Sequence, residues 1–265
     1  MAFLVLMSSW TIANSQERSD TTDRIGKKYI FNLAEDFKNV IVAPKDWEGI
    51  DIFRLAAVFG TGTVLFTLDQ DISDWFHKNR TPASSDFFSF STQFGGGGLL
   101  TGLMAAMYLS GEITGESSLR KAALLSLESF MTASVLAAGL KTVIGRARPG
   151  AGEGSQSFHL FSSSSSHTSF PSGHSTAAFA VAASIAEQSE SPVVDVLAYS
   201  LATLVAVSRV HEAKHWASDS LIGSAIGYFV AKKIAVLDRR REQGKAILSL
   251  GFSPGMKGLT LTLGF

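Results

Sequence analysis

Six long apolar stretches limit the folds that this sequence can adopt more than any other feature does. They lie within a chain of 265 residues and are rich in alanine, glycine, serine and leucine. Each is long enough for a helix of about four or five turns, and small residues at helical spacing let helices pack backbone to backbone. Nothing in this region alternates between apolar and polar residues as a strand would. We therefore predict an all-α protein, a bundle of about six core helices. The stretches cover 52–68, 97–112, 122–140, 173–187, 193–208 and 220–237.

Composition excludes several classes of protein. The chain has 23 basic and 23 acidic residues, so it lacks the basic excess of a nucleic-acid-binding protein. It has no cysteine, which excludes disulfides, thiolate metal sites and cysteine nucleophiles. With 46% hydrophobic and 17% charged residues, it is too apolar to be disordered.

The two ends of the chain differ from the apolar region. The first fifteen residues resemble the apolar core of an export signal with small residues at its end, although the usual basic segment is missing and a short buried segment is the alternative. The last residues alternate around Ser253, Pro254 and Gly255, which predicts a β-hairpin. The predicted organisation is a signal segment (1–15), a polar region with an amphipathic helix near 26–41 (16–50), a helical catalytic domain (51–240) and a hairpin tail (241–265).

The apolar stretches leave membrane spans and a water-soluble bundle both open. A span needs about 20 mainly apolar residues. Arg54, Glu128 and Asp195 interrupt three of the stretches, and ionisable residues inside a span are costly. In a membrane, the basic residues 120–121 and 239–241 would share one face of the bundle. The positive-inside rule would then place that face in the cytoplasm.

Three short polar clusters lie at the ends of the apolar stretches. Together they hold three cations, two histidines, a carboxylate and a glycine at a predicted helix start. Any single cation is well explained as a helix-end charge, but three clusters in this order, each at an apolar helix terminus, are not. They are Lys141 with Arg148 and Pro149, the run from Pro171 to His174, and Ser208-Arg209 followed by His215 and Asp219.

These residue types suit the hydrolysis of a phosphate ester. Phosphoryl transfer depends mostly on positioning and on neutralising the phosphate oxygens, which Lys141, Arg148 and Arg209 can do. Backbone N–H groups of Ser172 and Gly173, at a predicted helix start, form a ready anion site.

The two histidines suggest covalent catalysis. His215 would be the nucleophile, with Asp219, four residues on, holding its Nδ1 proton on the same helix face. His174 would protonate the leaving oxygen as the general acid. Asp219 alone is equally well explained as the N-cap of the following helix.

The three clusters resemble the signature of the type 2 phosphatidic acid phosphatase family, whose relatives include class A acid phosphatases and vanadium haloperoxidases. The pattern is Lys-x6-Arg-Pro, then Pro-Ser-Gly-His, then Ser-Arg-x5-His-x3-Asp, and every position is matched between residues 141 and 219. The resemblance implies His215 as nucleophile, His174 as acid and Asp219 as orienting carboxylate. It also implies a phosphate site of Lys141, Arg148, Ser172, Gly173 and Arg209, with no metal and no cofactor.

A competing motif overlaps the third cluster. His211, Glu212 and His215 spell H-E-x-x-H, the zinc signature of metalloproteases. We disfavour this interpretation because Lys214 would put a cation beside the metal, and no third ligand follows between Asp219 and Asp238.

The expected function is a metal-independent phosphomonoesterase of the cell envelope. Its active site would face the periplasm or the exterior, and its substrate would be a lipid or isoprenyl phosphate. The small-residue surface 175–186 would either line a groove for the lipid chain or simply pack against other helices. The alternatives are an acid phosphatase acting on small esters, a vanadate-dependent haloperoxidase and a structural envelope protein.

Overall fold

A computed structural model describes residues 23–246, and all regular structure within that range is helical. It contains eight α-helices, four short 3-10 helices and, between Arg146 and Phe158, a single isolated β-bridge. The predicted all-α class is therefore confirmed. The α-helices are α1 (Lys27–Val42), α2 (Gly49–Lys78), α3 (Pro82–Thr92), α4 (Gly97–Thr114), α5 (Ser117–Ile144), α6 (Gly173–Gln188), α7 (Pro192–His211) and α8 (Ala217–Ala246).

All six predicted apolar stretches fall within helices, namely α2 and α4 to α8. The prediction of about six helices missed α3, which is only eleven residues long and begins with a Thr81 cap and Pro82. The boundary of the predicted hairpin tail at 241 is wrong, since residues 241–246 continue α8. The rest of that tail and the predicted signal segment lie outside the described residues.

Helix α6 lies at the centre of the bundle, packed against α5, α7 and α8. Its side chains are almost all small, so neighbouring helices approach its backbone closely. Two glycines of α8, Gly223 and Gly227, lie against it. A Cβ at Gly227 would be 2.2 Å from the Thr176 carbonyl oxygen. The buried residues of α6 are Ser175, Thr176, Ala177, Ala178, Ala180, Val181, Ala182, Ala183 and Ser184.

This packing decides between the two roles considered for the small-residue surface 175–186. The surface packs against other helices, and core clusters join Ala180 to Ile234 and Ala178 to Val205. Phe179 of the same segment also lines an apolar groove between α2, α7 and α8, so the segment contributes one large side chain to that groove while its small residues pack against helices.

The described residues form an integral membrane protein. Four helices, α2, α5, α7 and α8, have the length and hydropathy of membrane spans. Only 6% of the apolar window of α2 is buried, and large side chains such as Phe53 and Phe59 are more than half exposed. Such a continuous apolar surface is typical of a face in contact with lipid.

The basic residues at the far end of the bundle are paired with acids. Lys121 Nζ lies 2.6 Å from Asp238 and 2.7 Å from Glu242, and Arg120 lies 2.5 Å from Asp23. Arg239 and Arg241 pair with Glu187 and Asp36. The predicted basic face is therefore largely neutralised by neighbouring acids.

We predict that Gly227→Ala destabilises the protein. The added methyl group would meet backbone atoms of α6, which cannot move aside as a side chain can. Overpacking of this kind costs about 1–3 kcal/mol. The measurement is the thermal unfolding midpoint in detergent, followed by tryptophan fluorescence.

Gly102→Ala in α4 is the matched control, because a Cβ there meets nothing within 4 Å. It should leave stability unchanged or raise it by up to about 1 kcal/mol through helix propensity. Equal midpoints for the two variants would contradict close packing of α6 and α8.

Candidate active site

The three signature clusters meet at one end of the bundle. The end of α5, the start of α6, the end of α7 and the start of α8 all contribute, together with the long loop that joins α5 to α6. Ser172 N–H donates to the Asp219 carbonyl at 3.0 Å, which ties the start of α6 to the start of α8. Helix termini concentrate unpaired backbone groups and dipole ends, so such a junction suits a charged ligand.

Two of the three cations are held by the α5–α6 loop. Lys141 Nζ donates to the carbonyl oxygens of Thr168 (2.8 Å) and Pro171 (2.6 Å), and Arg148 Nη2 donates to Thr168 Oγ1 (3.0 Å). A Cβ at Gly173 would lie 3.6 Å from Lys141 Cε, so Gly173 borders the lysine side chain.

The third cation, Arg209, comes from α7. Its Nη1 donates to Thr92 Oγ1 and to Glu212 Oε2, both at 2.6 Å. The Nε atoms of Arg209 and Arg148 are buried without a hydrogen-bond partner among the described residues. A buried donor is costly to leave unpaired. Each guanidinium group can therefore bind an anion through its Nε without giving up a hydrogen bond that it already makes.

Ser172 is the N-cap of α6. Its Oγ accepts from Ser175 N–H (3.4 Å) and Ser175 Oγ (2.8 Å), and the side chain is fully buried. Ser172 therefore fixes where the helix begins. That leaves the first backbone N–H groups of α6, from Gly173 onward, at the junction where an anion would bind.

His215 lies between α7 and α8, and its tautomer follows from its hydrogen bond. Its Nδ1 is 2.6 Å from the carbonyl oxygen of Ser169. A carbonyl can only accept, so Nδ1 carries the proton and the Nε2 lone pair of the neutral ring is free.

The predicted direct contact between Asp219 and His215 Nδ1 is wrong. The i, i+4 argument required both residues on one helix, but α8 begins only at Ala217. Asp219 instead accepts from Ser169 Oγ (2.5 Å) and from Trp216 N–H (3.1 Å). It therefore acts on His215 through Ser169, whose carbonyl holds the imidazole. The N-cap position considered for Asp219 from the sequence is also wrong, because α8 begins at Ala217 and Asp219 is its third residue, whose side chain accepts from the N–H of the preceding Trp216.

Arg146 was not among the predicted site residues, yet its guanidinium is the centre of a buried network. Its Nη1 donates to Asp219 Oδ1 (2.6 Å) and its Nη2 to Asp69 Oδ2 (2.8 Å). Nη1 also donates to Ser218 Oγ, and Nη2 also donates to the Ser155 carbonyl oxygen. The sequence did contain a signal of such a network. Asp69 directly follows an apolar stretch, and a charge at that position is costly unless it is paired.

Burial and nearby cations together determine the charge of both histidines. Burial, followed by the charges of Lys141, Arg148 and Arg209, lowers the pKa of His215 well below its usual range. Burial and the same three cations lower the pKa of His174, in the first turn of α6, to about 4. Both rings are therefore neutral near pH 7.

The H-E-x-x-H residues do not share a helix face. Helix α7 ends at His211, and Glu212 is its C-cap and pairs with Arg209. His211 Nε2 lies 3.1 Å from Ser84 Oγ, while His215 turns to Ser169. The zinc interpretation of this motif fails for that reason.

Comparisons with known proteins agree with this architecture. Residues 122–242 match the family model described as the PAP2 superfamily. A 66-residue segment is 41% identical to the lipid A 1-phosphatase of Porphyromonas gingivalis. That segment spans 24% of this chain and only 15% of that protein.

Two solved structures share the fold. One is described as the first transmembrane PAP2 type phosphatidylglycerolphosphate phosphatase, from Bacillus subtilis. It has a TM-score of 0.55 and 24% identity, covering 70% of this chain and 96% of that one. The other is LpxE of Aquifex aeolicus, with a TM-score of 0.51 and 23% identity, covering 64% and 95%. At these identities the likeness is one of fold.

We predict that Arg146→Leu is strongly destabilising. It removes one partner of a buried network and leaves Asp69 and Asp219 uncompensated, a change that typically costs about 3–5 kcal/mol. The measurement is the thermal midpoint of the purified protein.

Arg54→Leu is the control, since Arg54 pairs with Asp51 at 3.4 Å on the surface and such pairs contribute about 1 kcal/mol or less. An Arg146 variant as stable as the Arg54 variant would show that the network does not hold the site together.

Proposed function

We propose that this protein is a metal-independent phosphatase that hydrolyses lipid phosphomonoesters through a phosphohistidine. The observation that carries the proposal is the state of His215. Its Nδ1 proton is fixed on the Ser169 carbonyl, so Nε2 is a free nucleophile, and three cations surround it. A neutral imidazole beside an anion-binding cluster is suited to attack on phosphorus.

In the first chemical step, His215 Nε2 attacks phosphorus and the P–O bond to the leaving group breaks. Lys141, Arg148 and Arg209 neutralise the charge that spreads over the phosphoryl oxygens. The leaving oxygen takes a proton from His174. In the second step, water attacks the phosphohistidine, His174 takes a proton from that water, and inorganic phosphate is released.

Substrate binding would itself charge the acid. His174 is neutral near pH 7 because burial and three cations lower its pKa to about 4. A phosphate dianion offsets those cations, so its binding raises the pKa of His174 and favours the protonated form. Protonation of the acid is thereby coupled to occupancy of the site.

The lipid character of the substrate is supported by the surface around the site. An apolar groove of about 520 Å³ runs between α2, α7 and α8, and its lining includes Phe76, Val207 and Leu221. Val210 and Ala217, which flank the turn that carries His215, also line this groove. The names of the related proteins also refer to lipid phosphates.

The same considerations support a place in the cell envelope. A lipid substrate reaches the site from the membrane in which the four apolar helices lie. We retain the proposal that the site faces the periplasm or the exterior.

We predict that a phosphate ester labels the enzyme covalently and that His215→Ala abolishes the label. The adduct should be acid-labile and alkali-stable, as expected of a phosphoramidate. With an aryl phosphate, labelling should stay level as the pH falls from about 7.5 to about 6. An unperturbed imidazole would become protonated in that window, whereas His215, with its lowered pKa, stays neutral.

His174→Ala separates the nucleophile from the acid. This variant should still form the adduct from an aryl phosphate, whose leaving group needs little protonation, and should lose most activity on alkyl phosphates. EDTA should affect neither reaction. Full activity of His215→Ala, or loss of activity in EDTA that Zn²⁺ restores, would overturn the mechanism.

We predict that catalytic efficiency rises with acyl chain length. Each methylene buried in the groove contributes about 0.8 kcal/mol, partly offset by ordering of the chain. The measurement compares short- and long-chain phosphatidic acids below their micelle thresholds with a small aryl phosphate.

The alternatives give different outcomes in this assay. Efficiency that does not change with chain length would favour an acid phosphatase acting on small esters. Bromide oxidation on addition of vanadate, without phosphatase activity, would favour a haloperoxidase.

A further inference from the structure

The loop between α5 and α6 carries a cluster of potential ligands that the proposed phosphatase reaction does not use. The loop runs from Gly145 to Ser172 with only two short 3-10 helices. Loops of this length in a compact domain are usually functional. Glu153, His159 and His167 lie together within it, each with a ligand atom within 4.8 Å of the others.

Both imidazoles of the cluster lie beside one carboxylate with their ring planes parallel, so one ring has to rotate before both Nε2 lone pairs can meet at one ion. Glu153 Oε2 lies 2.6 Å from His159 Nε2, and Glu153 Oε1 lies 3.2 Å from His167 Nε2. The two imidazole rings are stacked, with centroids 3.8 Å apart and planes 9° from parallel. Both rings therefore direct Nε2 to the same carboxylate.

We propose that Glu153, His159 and His167 form a binding site for a divalent transition metal ion, Zn²⁺ in the first place. Two imidazoles and one carboxylate are a ligand set that Zn²⁺ takes in proteins, with a fourth position open to water. Zinc–nitrogen distances of about 2.0–2.1 Å put tetrahedral donors about 3.3 Å apart. The present spacing of the carboxylate and imidazole atoms is close to that value, so rotation of one ring and small side-chain movements complete the site.

Neighbouring residues support the required tautomer and backbone positions. Ser162 Oγ lies 2.8 Å from His167 Nδ1, and the hydroxyl oxygen can accept a hydrogen bond from Nδ1–H when Nε2 binds a metal. The His159 backbone is fixed because its N–H donates to the Gly145 carbonyl at 2.8 Å. Gly145, with φ +60°, packs so closely on His159 that a Cβ would overlap its carbonyl oxygen.

The site is separate from the catalytic centre but belongs to the same loop. Thr168, which holds Lys141 and Arg148, and Ser169, which holds His215, directly follow His167. A metal bound by three residues of the loop would reduce its conformational freedom and stabilise the folded state, while the chemical step itself needs no metal.

The experiment is a calorimetric titration of Zn²⁺ into the full chain in detergent, after removal of any affinity tag and treatment with EDTA. We expect one ion per chain with a Kd of about 1 μM or lower. Glu153→Gln, His159→Asn and His167→Asn should each weaken binding at least about tenfold. Saturating Zn²⁺ should raise the thermal midpoint of the parent protein and not that of the His159→Asn/His167→Asn double variant.

His77→Asn is the matched control, because it removes a histidine from the end of α2 and should leave Zn²⁺ binding unchanged. Absence of saturable binding to the parent protein would overturn the proposal, as would equally tight binding to the double variant. Phosphoenzyme formation in EDTA tests the proposed function independently, so failure of one proposal leaves the other intact.

Discussion

The buried guanidinium of Arg146 is the interaction on which the arrangement of the site depends. It joins Asp69 of α2 to Asp219 of α8 and binds the Ser155 carbonyl of the loop, and all four residues are buried. A buried charge is tolerated only when it is fully paired, so these elements can adopt few other arrangements. Asp219 in turn holds Ser169, whose carbonyl fixes the tautomer of His215. The orientation of His215, the proposed nucleophile, therefore depends on a buried network that it contacts only through Ser169.

The small residues of α6 make this convergence sterically feasible. Ala180 and its neighbours allow α5, α7 and α8 to approach one central helix, and Gly223 and Gly227 bring α8 against its backbone. Close packing of small residues is also how helices associate where lipid weakens the hydrophobic drive. The same feature thus serves the membrane bundle and the site.

Charge is distributed differently at the two ends of the bundle. At the far end, Lys121 and Arg241 are matched by acids such as Asp238 and Asp36. At the active-site end, burial lowers the pKa of both histidines, and the charges of Lys141, Arg148 and Arg209 lower it further, as expected of a local excess of positive charge. Such an excess favours the binding of a phosphate dianion, and it helps to keep His215, the proposed nucleophile, neutral.

The sequence by itself determined the helical class, the six long helices and the residues of the three clusters. Apolar periodicity and the spacing of charged residues are local properties of the chain, and they do not depend on how the helices pack against one another. Tertiary structure decided how those residues bond. The break between α7 and α8 separates His215 from Asp219, so the expected direct contact gives way to one through Ser169. Partners distant in sequence, such as Asp69 for Arg146, follow only from three-dimensional packing, because a buried ion pair has no periodic signature along the chain.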